Sequence, residues 1–200
     1  GDGSMDTYTL IEGVDTTTSA PFDVDSGMNI THVYIDDDGS FTPSDTYTIT
    51  VRIVDDDGGY DTMTTTVTVN NVDPWVADLA VAGDILEMDT ATIMGTLYDV
   101  SGVDVFMTLT INWGDGEITE IACLQNLPAN VVLTPASGST ATNGTTFTAT
   151  HQYLDDNPTG TESDLYTISV NVMDDDLGRS ADAFVNFTVT DIPPELALYG

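Results

Sequence analysis

The chain has almost no positive charge. Its 200 residues include no lysine and only two arginines, Arg52 and Arg179, against 34 aspartates and glutamates, so the net charge is -32 at neutral pH. A field of this sign repels phosphate groups and anionic lipid headgroups. The composition therefore excludes nucleic acid and direct membrane insertion, and it requires cations to screen the self-repulsion of the folded chain.

Cysteine and long apolar runs are also scarce. Cys123 is the only cysteine, so no disulfide can form within the chain, and we interpret it as a small hydrophobic residue of a strand. No run approaches the roughly 20 apolar residues that span a bilayer, and no signal-peptide pattern opens the chain. If the protein is exported, we expect its signal to lie outside this sequence.

What the chain does contain is an internal repeat. The stretch "THVYIDDDG" at 31–39 matches "THQYLDDNP" at 150–158, which places His32 and His151 119 residues apart. The same offset carries "DTYTITVRIVDDDGG", which begins at residue 45, onto "DLYTISVNVMDDDLG", which begins at residue 164. A further segment, "VTVNNVDP", aligns with "FTVTDIPP" after a slip of one residue, and the opening "GDG" pairs with the "GDG" that follows Trp113.

The repeat predicts three segments. Residues 1–72 form a sandwich that is incomplete at its N-terminal side, because the counterpart of 75–113 is missing. Residues 73–192 form a complete sandwich with a loop insertion near 124–145, and 193–200 begin a further repeat. We expect this sequence to be a window cut from a longer tandem array; the alternative is that another chain completes the first copy by strand addition.

Each copy is predicted to be a row of strands. Apolar residues alternate with polar ones in "DVFMTLTINW" and in "LYTISVNV", which is the pattern of half-buried strands. "DDDGG" and "DDDLG" lie between such stretches and are typical of hairpin turns. The residues expected to face the core of the second copy are Val105, Met107, Leu109, Ile111, Trp113, Tyr166, Ile168, Val170, Val172 and Phe187. The fold class is therefore all-β, with about seven short strands per copy, as in an immunoglobulin-like sandwich.

The ordered motifs resemble those of a known family. The series W-G-D-G, T-H-x-Y, D-x-Y-T-I-x-V-x-V-x-D-D-D and a closing N-V-D-P or D-I-P-P linker is similar to the PKD (polycystic kidney disease) repeat, and it covers almost the whole chain. The resemblance implies tandem immunoglobulin-like β-sandwiches in an extracellular or cell-surface protein, or accessory modules beside secreted enzymes. It also implies calcium near the linker that precedes a module. The long insertion and the missing first half of copy one depart from the family pattern.

The two histidines do not indicate an enzyme. His151 shares one face of an alternating stretch with Phe147, Ala149 and Tyr153, and His32 has the same place in the first copy, so we interpret both as scaffold residues. Neither has a neighbouring nucleophile motif or a zinc-ligand pattern. We expect no catalytic residues in this segment.

The acidic turns are the candidate metal ligands. Loops of a sandwich alternate between its two poles, so the turn 174–176 and the loop 98–104 of the second copy should meet the loop 36–37 of the first copy at the linker. Calcium takes six to eight oxygen ligands and suits such a cluster. The candidate ligands are Asp36, Asp37, Asp73, Asp99, Asp104, Asp174, Asp175 and Asp176, with Asp55 and Asp57 on the corresponding turn of the first copy. The competing interpretation is halophilic surface charge with no specific site.

Three functions remain open at this stage. The first is a structural segment of a long extracellular repeat protein, such as a fibre, stalk, surface layer or adhesive arm, whose partners are neighbouring repeats or copies of itself. The second is a carbohydrate- or protein-binding accessory module of a secreted enzyme, which requires exposed aromatic residues; Tyr60, Trp75 and Tyr199 are the candidates. The third is a calcium-dependent adhesion domain, whose partner is a surface protein.

Overall fold

The computed structural model describes residues 2–7, 31–37, 40–101, 106–122, 127–135, 144–157 and 159–196. Every regular element in these ranges is a β-strand, so the predicted all-β class is confirmed. Among the same residues, no helix exists that is long and apolar enough to cross a bilayer.

The first copy contributes a two-stranded hairpin. β1 (Ser44–Val54) pairs antiparallel with β2 (Tyr60–Asn70) along its whole length. The predicted turn joins them: the amide of Asp55 donates to the carbonyl of Gly59, and the Asp55 side chain accepts a second bond from the Gly59 amide. The linker 71–74 then leads into the second copy.

The second copy is a sandwich of two sheets. One sheet has the order β4-β11-β10-β6-β7, and the other has the order β3-β5-β9-β8. Within the five-stranded sheet, β4 runs parallel to β11 and the other neighbours are antiparallel. The strands are β3 (Trp75–Val81), β4 (Ile85–Leu86), β5 (Thr90–Tyr98), β6 (Thr108–Asn112), β7 (Ile118–Ala122), β8 (Val131–Pro135), β9 (Thr145–Gln152), β10 (Ser163–Met173) and β11 (Ala183–Thr190).

The core lies between these two sheets, as the alternation predicts. Trp113 is fully buried; its indole N–H donates to Thr119 Oγ1 at 2.9 Å, and its ring stacks on His151. Tyr153 closes one end of the core with a 2.6 Å bond from its hydroxyl to the Trp113 carbonyl. The expected core residues that are buried are Leu109, Ile111, Trp113, Tyr166, Ile168, Val170, Val172 and Phe187, while Met107 is half-buried and Val105 lies outside the described residues.

The hairpin of the first copy has no comparable core among the described residues. Ile53 is 58% exposed and Val51 is 42% exposed, whereas their counterparts Val172 and Val170 are fully buried. The difference arises because β10 pairs with β6 and packs against the opposite sheet, and the first copy has no described strand in the place of β6.

Part of the interval predicted as a loop insertion, 124–145, forms a strand. Residues 131–135 form the edge strand β8, which pairs with β9, because Val131 and Leu133 point towards the core while Val132 and Thr134 face solvent. The rest of the 124–145 segment is only partly within the described residues: 124–126 and 136–143 lie outside them. The interval thus adds a strand to the sandwich rather than a loop alone.

Candidate metal centre at the junction of the two copies

The two copies meet at the linker that follows β2. The side-chain amide of Asn71 donates a 2.8 Å hydrogen bond to Oδ2 of Asp174, which belongs to the turn after β10. The other oxygen of Asp174 accepts a 2.7 Å bond from the Gly178 amide, so this fully buried carboxylate is fixed by both copies. Pro74, at the end of the linker, is also buried. These contacts place the acidic turn of the second copy against the end of the first.

Three further carboxylates converge beside this contact. Oxygens of Asp36, Asp37 and Asp176 lie within 4.8 Å of one another, although Asp176 comes from the second copy and the other two from the first. The loop of the first copy is held by Tyr47, whose hydroxyl donates to the Asp36 carbonyl at 3.4 Å. A separation of this size allows one cation to contact all three groups, because calcium–oxygen bonds are about 2.3 to 2.6 Å long.

Asp37 is the central residue of this group. It is 1% exposed, and neither of its carboxylate oxygens has a hydrogen-bond partner among the residues that the structure describes. A buried carboxylate without a partner is among the most costly arrangements in a protein, since it loses its hydration and gains nothing in return. The arrangement is consistent with a ligand that is a cation.

Asp99 adds a second orphaned oxygen to the junction. Its Oδ1 accepts a 3.0 Å bond from the amide of buried Ser101, but its buried Oδ2 has no partner. Asp99 and Ser101 lie in the loop after β5, and they line a cavity of about 110 Å³ together with Asp36, Asp37 and Asn71. The cavity is large enough for a cation and a few waters, each of which occupies about 30 Å³ in the liquid.

The carboxylates at the junction are harder to ionise than ordinary ones. Burial raises the pKa of Asp99 to about 6, and the nearby Asp174 adds to this effect. Burial followed by the charge of Asp37 raises the pKa of Asp176 to about 6 as well. The pKa values of Asp37 and Asp174 are also raised, in both cases mainly by burial. The site therefore favours any occupant that supplies positive charge.

The chain supplies no such charge itself. Arg52 lies over the ring of Tyr60 at 4.3 Å, and Arg179 contacts Asp182 and Asn171. These are the only two basic side chains apart from the histidines, because the sequence has no lysine. The donor set, which consists entirely of oxygens, fits a hard cation such as calcium better than zinc or copper.

The other predicted ligands have different positions. Asp175 is half-buried between Asp174 and Asp176, so it lies at the junction, and Asp73 is exposed in the linker. Asp55 and Asp57 lie on the exposed turn of the hairpin, about 35 Å from the linker along strands of this length. They are not part of the junction cluster, because an antiparallel hairpin separates its turn from its open end. Asp104 lies outside the described residues.

Sequence analysis missed two polar residues of this site. Asn71 and Ser101 carry no charge and lie outside the aspartate runs from which the ligands were predicted. Asn71 could have been found from its place in the linker, because the repeat aligns it with an acidic residue, Asp191, of the second copy.

The histidines belong to the scaffold. His151 Nε2 lies 2.6 Å from Asp115 Oδ2, and His32 Nε2 lies 2.7 Å from Asp2 Oδ2. In both copies, the aspartate of the "GDG" turn also accepts a backbone amide two residues further on, from Ser4 and Glu117 respectively. Asp2 therefore makes the same backbone contact and the same histidine contact as Asp115.

The two described aromatic residues of the proposed binding surface are partly covered by neighbouring side chains, although Tyr60 remains 66% exposed. Trp75 is 44% exposed, but its ring stacks on Tyr98 with 5.2 Å between centroids. One face of Tyr60 is covered by Arg52. Tyr199 lies outside the described residues.

No protein-family model matches the chain, and no curated protein matches it. It is similar to the PKD domain of an M14-like peptidase from Thermoplasmatales archaeon SCGC AB-540-F20, with 16% identity over 60% of this chain and 98% of that one and a TM-score of 0.43. The sialic acid binding region of a Streptococcus sanguinis SK1 adhesin is 16% identical over 72% of this chain and 37% of that one, with a TM-score of 0.30. Domains 4 and 5 of the S-layer protein SbsC are 15% identical over 88% of this chain and 80% of that one, with a TM-score of 0.26. The first of these belongs to the family that the sequence motifs resemble.

Proposed function

We propose that this chain is a structural segment of an extracellular tandem-repeat protein, and that calcium stiffens the junction between its two copies. The observation that carries the proposal is Asp37, a buried carboxylate whose two unpaired oxygens belong to a group that includes Asp176 of the other copy. A cation bound there contacts both copies at once. In the assembled protein, the neighbours of this chain are further repeats or copies of the same chain, which together form a fibre, stalk, surface layer or adhesive arm.

The junction is suited to control by a cation because several acids meet there. The side-chain bond from Asn71 to Asp174 crosses the junction, and the neighbouring carboxylates repel one another. Without a cation this repulsion opposes contact between the copies. With calcium bound, the same carboxylates become ligands and hold the two copies in one orientation. A long array of such junctions extends as a stiff rod rather than a flexible chain.

The competing interpretations make different demands. A halophilic surface needs exposed acids, whereas Asp37, Asp99 and Asp174 are buried. A carbohydrate-binding accessory module needs an exposed aromatic face. Trp75 stacks on Tyr98, so less of its ring is available to a sugar than the sequence suggested. A calcium-dependent adhesion domain uses the same junction and differs in its partner.

The experiment is chelation of the full chain, followed by small-angle scattering and calorimetry. Calcium should narrow the distribution of interdomain distances and raise the unfolding temperature, because a ligand that binds only the folded state stabilises it by mass action. Sodium chloride at matched ionic strength is the control. If sodium chloride restores everything that calcium restores, the acids act as diffuse charge and the proposed junction site is wrong.

A further inference from the structure

A second group of carboxylates lies at the opposite end of the second copy. Oxygens of Glu87, Asp156 and Asp191 lie within 4.8 Å of one another. Glu87 lies in the turn between β4 and β5, and Asp156 lies in the loop after β9. Asp191 is the residue directly after β11. Three segments distant in sequence thus bring three acids to the point where the chain leaves the sandwich.

One member of this group is a buried carboxylate with an oxygen that has no partner. Asp156 is 7% exposed, and its buried Oδ2 makes no hydrogen bond within the described part of the chain. Burial raises the pKa of this carboxyl, and the charge of Asp191 adds to the effect. An acidic cluster on a solvated surface has its oxygens in water, so this orphaned oxygen distinguishes the group from ordinary surface charge.

The other two residues are fixed in place by backbone hydrogen bonds. The Glu87 amide donates to the Thr190 carbonyl at 2.9 Å, and the Ile192 amide donates to Glu87 Oε1 at 3.2 Å. The Asp191 amide donates to the Glu162 carbonyl at 3.0 Å. The three acids are therefore held together by the fold although they repel one another.

The group has a counterpart at the junction of the two copies. Asp156 follows Asp37 by the 119 residues of the repeat, and both carry buried oxygens without partners. A tyrosine holds each loop: the Tyr166 hydroxyl donates to the Asn157 carbonyl and also lies 3.3 Å from the Asp155 carbonyl, and the Tyr47 hydroxyl donates to the Asp36 carbonyl. At the junction the additional acid comes from the next copy, whereas here Glu87 and Asp191 come from the same copy.

We propose that Glu87, Asp156 and Asp191 bind a second calcium ion, independently of the site at the junction. Three carboxylates and no nitrogen or sulfur donor select a hard divalent cation. Neither arginine contacts the group in the described part of the chain, so the neutralising charge must come from solution. The bound ion ties the segment after β11 to the loop after β9 and fixes the direction in which the chain leaves the sandwich.

The test is calorimetric titration of the metal-free full chain with calcium. The wild type should show two binding events. Asp156→Asn should abolish one of them and leave the affinity of the other unchanged, and E87Q and D191N should weaken the same event by more than about tenfold. Asp37→Asn should abolish the other event. The control is Asp78→Asn, which makes the same chemical change at an exposed residue of β3 and should alter neither.

Each outcome has a definite meaning. If D156N keeps both events, or if D78N weakens binding as much as D156N, the second site is wrong. If D37N keeps both events while D156N loses one, the junction site is wrong and the second site stands. Magnesium that binds as tightly as calcium overturns the assignment of the metal. Circular dichroism checks folding, and D156N should fold because it removes a buried charge. Calcium should also raise the unfolding temperature of D156N by less than it raises that of the wild type.

Discussion

The side-chain amide of Asn71 donates a 2.8 Å hydrogen bond to Oδ2 of Asp174, and this bond joins the linker to the turn of the next copy. Gly178 leaves the space that the bond requires. A Cβ at residue 178 would lie 2.4 Å from Asp174 Oδ2 and 2.5 Å from Asn71 Nδ2. The junction therefore depends on a residue that makes no side-chain contact of its own.

We predict that Gly178→Ala loosens the junction. The added methyl group pushes Asp174 and Asn71 apart and should cost about 1 to 3 kcal/mol, the usual cost of disturbing a buried polar group. Thermal unfolding measures the cost, and small-angle scattering measures the angle between the copies. Gly59→Ala is the matched control, because the nearest atoms to a Cβ there belong to the exposed Asp55 side chain of the equivalent turn. Equal effects of the two changes on the angle would contradict the prediction.

Asp37→Asn should change stability in opposite directions with and without calcium. In chelator, the substitution removes a buried charge that has no partner, so the free energy of unfolding should rise. In calcium, it removes a ligand, so the stabilisation by the metal should fall. Denaturant unfolding in both conditions measures the crossover. A variant that is less stable than the wild type in chelator would show that Asp37 has a favourable partner in the metal-free protein.

Stability in the absence of metal should decrease with rising pH. The pKa of Asp99 in the folded chain is about 6, above its ordinary value of 3.8, so the folded state binds protons more tightly than the unfolded state. This stabilising effect is complete below about pH 4 and is lost as the pH rises through about 6. Asp176 contributes in the same direction. Urea unfolding in chelator measures the slope, which Asp99→Asn should reduce and Asp78→Asn should leave unchanged. An Asp99→Asn curve as steep as the wild-type curve would contradict the assignment.

Trp113→Ala should destabilise the second copy by about 3 to 5 kcal/mol, as for other large aromatic residues removed from a core. Its ring is fully buried, and it stacks on His151 with 4.8 Å between centroids. Trp75→Ala is the matched control, since that ring is partly exposed and should cost about 1 kcal/mol. Chemical denaturation of both variants gives the comparison. A loss below about 1 kcal/mol for Trp113→Ala would contradict its place in the core.

From the sequence, the proposed calcium ligands could be predicted only as a group of acidic loops at one end of the sandwich. The alternation of loops between the ends of a sandwich indicated that Asp36, Asp37, Asp99 and Asp174 would meet, and they do. The sequence did not distinguish Asp37, which is buried without partners, from Asp36, which is half-buried one residue earlier. Asp155 and Asp156 of the second copy differ in the same way, so the conformation of the loop decides which of two adjacent aspartates is buried, and the run of aspartates does not reveal it.

By itself, the sequence determined the internal repeat and the core-facing residues of the strands that it predicted. Period-two alternation places Tyr166, Ile168 and Val170 on one face whatever the surrounding fold, because successive side chains of a strand point to opposite sides. Only the tertiary structure decided which acids share a site. Glu87 and Asp191 are 104 residues apart in sequence, and they meet because β4 lies parallel to β11 at the edge of one sheet. Such pairing is set by the packing of whole strands, and a carboxylate gives no sign in its own neighbourhood of which distant strand will lie beside it.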